Sequence, residues 1–140
     1  MKKLVSIFIM LFSFTTLFAK EFESQKKAES FVAGIVEDFS EKKFQESVDR
    51  LKEYSFISSA TMDNLVVQAS QQWTLIEQVY GKKLSVDFLS SKKAGESLVQ
   101  LVHIVRFENY PLIFRTVLYR AEKGWTVVGF SFNDTLTDLF

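Results

Sequence analysis

Residues 83–133, KLSVDFLSSKKAGESLVQLVHIVRFENYPLIFRTVLYRAEKGWTVVGFSFN, alternate apolar and polar side chains over most of their length. A period of two is the pattern of β-strands with one face turned inward. Three polar breaks divide the stretch: Lys92-Lys93-Ala94-Gly95, Glu108-Asn109-Tyr110-Pro111 and Glu122-Lys123. Strands are therefore expected at 83–91, 97–107, 112–121 and 125–133. Links this short join neighbours only as antiparallel hairpins, so the four strands form a meander. The one proline, Pro111, falls in a turn, where its missing N–H costs the ladder nothing.

Upstream the period changes to that of helices. Ala28, Phe31, Val32, Ile35, Val36 and Phe39 make an i, i+3, i+4 stripe over residues 24–39, with Lys26, Lys27, Glu29 and Glu37 opposite. Phe44, Val48 and Leu51 mark a shorter helix over 41–54. A third begins near Ser58, Ser59 or Thr61, each a good N-cap, with Asp63 in its first turn. It carries Leu65, Val66, Ala69, Trp73, Ile76 and Tyr80 inward and stops at Gly81, a suitable residue just past a helix end. Its other face is unusual in holding Gln68, Gln71, Gln72 and Gln78 rather than charges. The fold class that follows is α+β: three N-terminal helices packed on one face of a curved four-stranded antiparallel meander.

Strict alternation through the expected turns pairs His103 with Thr116 and Thr116 with Gly129. One face then carries Leu101, His103, Val105, Phe107, Leu112, Phe114, Thr116, Leu118, Trp125, Val127, Gly129 and Ser131. The other carries Gln100, Val102, Ile104, Arg106, Ile113, Arg115, Val117, Tyr119, Thr126, Val128, Phe130 and Phe132. One bulge would exchange part of these sets, because a one-residue slip turns every following side chain over. The first set suits the helices. The second is too apolar to leave in water and reads as an interface, which predicts a homodimer through Ile104, Arg106, Arg115, Tyr119, Phe130 and Phe132. Asn133-Asp134-Thr135 reads as the terminator of the last strand.

The N-terminus reads as a secretory signal over residues 1–19: Lys2 and Lys3, an uncharged apolar run from Leu4 to Phe18, then Ala19 before Lys20-Glu21. The run is short for a bilayer span, which needs about 20 residues. The expected location is periplasmic or secreted, with no membrane attachment after cleavage and one domain over 20–140. Without those first residues the chain has 15 basic and 17 acidic residues, a net charge of −2. Interspersed signs near neutrality argue against a nucleic-acid partner. No cysteine is present, which excludes disulfides and thiolate metal sites.

Several segments together resemble the nuclear-transport-factor-two-like superfamily, the cystatin-like α+β cone, in its small exported bacterial branch of unknown function. They are Gln72-Trp73-Thr74-Leu75 with Tyr80-Gly81, Val105-Arg106-Phe107-Glu108 leading to Pro111-Leu112, and the run from Gly124 to Asn133. The resemblance covers the whole mature chain and rests on structural motifs. It implies a cavity between a concave sheet and the helices, frequent dimerisation through the sheet, and members both catalytic and not. The isomerase branch uses a carboxylate base in the cavity, and the inward set above holds no Asp or Glu. Fold alone does not decide activity.

The expected ligand pocket, small and apolar, is Trp73, Tyr80, His103, Thr116, Gly129 and Ser131. An imidazole beside a hydroxyl could bind a polar group or move a proton, although a core histidine bonded to Thr116 accounts for the same residues. A single histidine falls short of the three or four ligands zinc takes, and no metal or other cofactor is expected. The sequence thus points to a non-catalytic exported module that binds a small molecule or a partner. The alternatives are a small isomerase- or hydratase-like enzyme using His103, and a structural domain docking through the outer sheet face.

Overall fold

The computed structural model describes residues 19–140. The expected signal segment, apart from Ala19, lies outside the described residues. Three helices, α1 (Gln25–Ser40), α2 (Phe44–Glu53) and α3 (Ser59–Tyr80), precede strands β1 (Lys83–Ala94), β2 (Leu98–Phe107), β3 (Pro111–Arg120) and β4 (Trp125–Asn133). A 3-10 turn follows at Thr137–Leu139. The strands form one antiparallel sheet in the order β1-β2-β3-β4, and α1 lies against all four of them. The protein is an α+β domain with its helices on one sheet face.

Local chemistry sets the helix ends. The Ser24 side chain accepts from the Lys27 amide and Ser58 from the Thr61 amide, each satisfying a donor that the first helical turn leaves free. Helix α3 stops at Gly81, whose φ of +87° strains any residue with a Cβ; an added Cβ would also lie 2.9 Å from Glu108 Cβ. The Glu108 carboxylate meanwhile accepts from the Lys82 amide at 2.7 Å, joining this corner to the β2–β3 turn.

Two features of the register differ from strict alternation. The β2–β3 hairpin closes at Arg106 and Pro111, so His103 faces Phe114 and Leu101 faces Thr116. That shift of two residues keeps every side chain on its expected face. The β3–β4 ladder instead slips by one between Val117 and Leu118, leaving Val128 as the extra residue. Beyond it Thr116 faces Phe130 and Phe114 faces Phe132. The bulge therefore turns Phe130 and Phe132 in towards the helices and sends Gly129 and Ser131 to the outer face.

Neither sheet edge is a plain template for another strand. At β4, Phe22 and Trp125 exchange two backbone bonds of 2.8 Å, and Tyr54 O accepts from the Val127 amide at 2.9 Å. Ser55 Oγ donates to Val127 O at 2.7 Å. Edge strand β1 is broken by shifts at Leu84 and Leu89 and carries Lys92 and Lys93, features that discourage edge pairing.

The core is aromatic. Phe39, fully buried, has ring centroids of Phe44, Trp73, Phe114, Phe130 and Phe132 at 4.9–6.0 Å. Trp73 adds edge contacts to Phe107 and Phe132. Offset and edge-to-face rings contribute beyond the area they bury, by about 0.5–1.5 kcal/mol a pair. These rings fill the space between helices and sheet where the resemblance implies a cavity.

Candidate functional site

The six expected pocket residues do not meet. Gly129 and Ser131 lie on the outer face, opposite Val117 and Arg115. Trp73 is core. His103 and Thr116 share the inner face, both buried, but the two-residue shift makes them diagonal neighbours. No hydrogen bond joins them: His103 Nδ1 and Thr116 Oγ1 are buried without a partner among the described residues. The His103 ring packs edge-on against Phe88 at 5.3 Å.

Burial lowers the His103 pKa below the ordinary 6.5, and the Glu29 carboxylate opposes this only in part. The imidazole is held neutral because desolvation penalises its cation. In the unfolded chain it titrates normally, so below about pH 6.5 unfolded molecules take up a proton that folded ones refuse. Stability contributed by neutral His103 is complete above that pH and lost as pH falls towards the lowered folded value. The chain has one histidine. The expected result is an unfolding free energy from urea titration that declines from pH 7 to pH 5, by no more than the about 1.4 kcal/mol per pH unit that one proton allows. His103→Leu should flatten it; an unchanged slope in that variant would assign the effect elsewhere.

Of the six, Tyr80 lines a cleft. A groove of about 290 Å³ at the mouth between α3 and the sheet is lined by Gln68, Gln72, Ile76, Tyr80, Leu112, Phe132, Asn133 and Asp134. The Tyr80 hydroxyl donates to Asp134 Oδ2 at 2.7 Å, and Tyr110 donates to Asp134 O at 3.0 Å. Burial first, then the bond to Asp134 and its charge, push the Tyr80 pKa up to about 12. This phenol is a fixed neutral donor and no acid or base near pH 7. From sequence Asp134 reads only as part of a strand terminator; its place in the groove depends on the β4 bulge.

A second hollow, of about 520 Å³, lies at the opposite sheet end between the β1–β2 and β3–β4 turns. Its charged lining alternates in sign, Glu23, Lys93, Glu96, Arg120, Glu122 and Lys123, and offers no convergent chemistry. We place the candidate site at the α3 groove, where apolar side chains and glutamine amides meet, rather than in this solvated hollow.

The expected interface set also divides. Ile104, Arg106, Arg115 and Tyr119 are on the outer face, while Phe130 and Phe132 are not, for the reason given by the bulge. Both arginines bond within the chain: Arg106 Nη1 to Ser85 Oγ at 3.3 Å, and Arg115 Nη1 to Asn133 Oδ1 at 3.2 Å. Ile113 and Val102, on the same face, are already buried. The outer face is less apolar than the alternation implied.

Among the described residues no group of three His, Cys, Asp or Glu side chains is placed to hold a metal ion. No helix among them is long and apolar enough to cross a membrane. The fold and groove define an α+β domain with helices over one face of a meander. No family model, no curated protein and no solved structure matches the chain.

Proposed function

We propose that the chain is an exported, non-catalytic binding module that engages a macromolecular partner over its surface, not a small molecule in an enclosed pocket. The observation that carries this is the filling of the helix–sheet interior by Phe39, Trp73, Phe114, Phe130 and Phe132. Export rests on Lys2, Lys3 and the apolar run before Ala19. His103 is buried and packs against Phe88 with its cation disfavoured, which weighs against the enzymatic alternative that would use it. Native mass spectrometry of the mature protein, purified gently from its own host, tests the reading. The expected spectrum shows polypeptide masses alone; a stoichiometric small molecule retained on the protein would overturn it.

A further inference from the structure

The groove between α3 and the sheet is charged with one sign only. Gln68 and Gln72, one helical turn apart, line it from α3, and Asn133 and Asp134 line it at the end of β4. Apart from Tyr80 the rest of the lining is apolar: Ile76, Leu112 and Phe132. Asp134 is the one charged side chain among them. Other hollows differ, for carboxylates and cations stand together in the 520 Å³ hollow and in one formed by Glu77, Gly81, Lys82, Lys83 and Glu108. Arg115 is not part of the groove lining, and its Nη1 donates to Asn133 Oδ1 at 3.2 Å. Asp134 is also held in place from two sides. Tyr80 of α3 bonds its carboxylate and Tyr110 of the β2–β3 turn bonds its carbonyl, with the two rings 5.0 Å apart. An ionised carboxylate has about four lone-pair sites, so the Tyr80 bond leaves most of its accepting capacity open.

We propose that this groove receives the side chain of an arginine from a partner protein. The inference rests on the surface-binding reading above and names the place and chemistry of the contact. Charge selects the sign of the occupant: the lining holds a carboxylate and no cation, and the mature chain, at a net −2, favours the approach of a basic partner. Size selects a side chain. At about 290 Å³ the groove falls just short of the range of about 300–1,000 Å³ typical of small-molecule pockets. Donor number selects arginine over lysine. A guanidinium carries five N–H groups in a planar fork that a carboxylate accepts in pairs, and the carbonyls of Gln68 and Gln72 can take those left over; an ammonium has three and no fork. The arginine stem covers apolar surface of Ile76 and Leu112 while its head stays at the wet rim, and its flat face matches a ring such as Phe132.

The probe is a capped glycine peptide with one central arginine, titrated into the mature protein and followed by amide chemical shifts. Shifts are expected to cluster at Gln68, Gln72, Tyr80 and Asp134 and to saturate with a dissociation constant on the order of 1–10 mM, since one exposed ion pair contributes little. Asp134→Asn keeps an acceptor for the Tyr80 hydroxyl but removes the charge, and should weaken binding at least about threefold. Gln72→Lys brings a cation into the lining from an exposed helical position and should abolish it. Replacing the arginine by citrulline, close in shape but uncharged, should weaken binding as Asp134→Asn does. Glu122→Gln removes a carboxylate from the opposite sheet end and should change nothing. Scattered shifts, or equal weakening by Asp134→Asn and Glu122→Gln, would show only a general attraction to an acidic chain and overturn the proposal. A citrulline or lysine peptide that binds as tightly also overturns it. Those outcomes leave surface binding intact, whereas a retained small molecule in the native mass spectrum defeats the broader reading, so the two failures are distinguishable.

Discussion

Phe39→Ala should lower the stability of the fold by about 3–5 kcal/mol, the range for removing a buried aromatic ring. Single domains have about 5–15 kcal/mol in total, so the variant would lose a large share of its stability. The size follows from position. Phe39 comes from the last turn of α1 and touches rings supplied by α2, α3, β3 and β4. None of these neighbours can collapse into the space without leaving another ring. Urea unfolding followed by tryptophan fluorescence measures the loss. Phe88→Ala is the control, since that ring is 56% exposed and should cost far less. Similar losses for the two variants would show that the aromatic cluster is not the centre of the core.

Gly124→Ala should cost about 2.5–6 kcal/mol, the sum of the bonds and burial it disturbs, although it adds only a methyl group at the β3–β4 turn. A Cβ there would collide with Phe22 O, a backbone atom that cannot swing aside. The clash can be relieved only by moving the Phe22 segment off β4. That breaks the two 2.8 Å bonds between Phe22 and Trp125, at about 0.5–1.5 kcal/mol each. It also exposes the Phe22 ring, which stacks on Tyr54 at 4.1 Å and contributes about 1.5–3 kcal/mol by burial. Hydrogen exchange reads the mechanism: the Phe22 and Trp125 amides should lose protection while Phe114 and Thr116 keep theirs. Protection retained at Phe22 would mean that the turn itself had absorbed the strain.

Periodicity identifies all seven major elements because the apolar spacing changes sharply at Lys83. The caps at Ser24 and Ser58 and the stop at Gly81 are legible for the same reason: they depend on residues within one turn of themselves. Side-chain facing in β4 is not. The stretch Thr126-Val127-Val128-Gly129 has no such simple signature, since it alternates equally well with or without an extra residue. What selects the bulge is distant: Phe130 and Phe132 find Phe39 and Trp73 only if the strand slips. Their burial outweighs the ladder bonds lost at one position. The expected pocket inherits this error, because the same alternation assigns Gly129 and Ser131 inward. The glutamine face of α3 is visible in the sequence as an oddity, but that Gln68 and Gln72 border the groove is known only once the helix is seen against the sheet.

The strap of backbone along β4 also orders the events of folding. Each hairpin of the meander closes over a few residues, a cheap step in chain entropy. The bonds that seal β4 reach back 72 residues to Ser55 and almost the full described length to Phe22. Contacts of that span form slowly, since the loop must close before they reward it. The sheet can therefore be assembled while its last strand still presents an open edge, and the chain is most exposed to pairing with a stranger just before its own beginning returns to it.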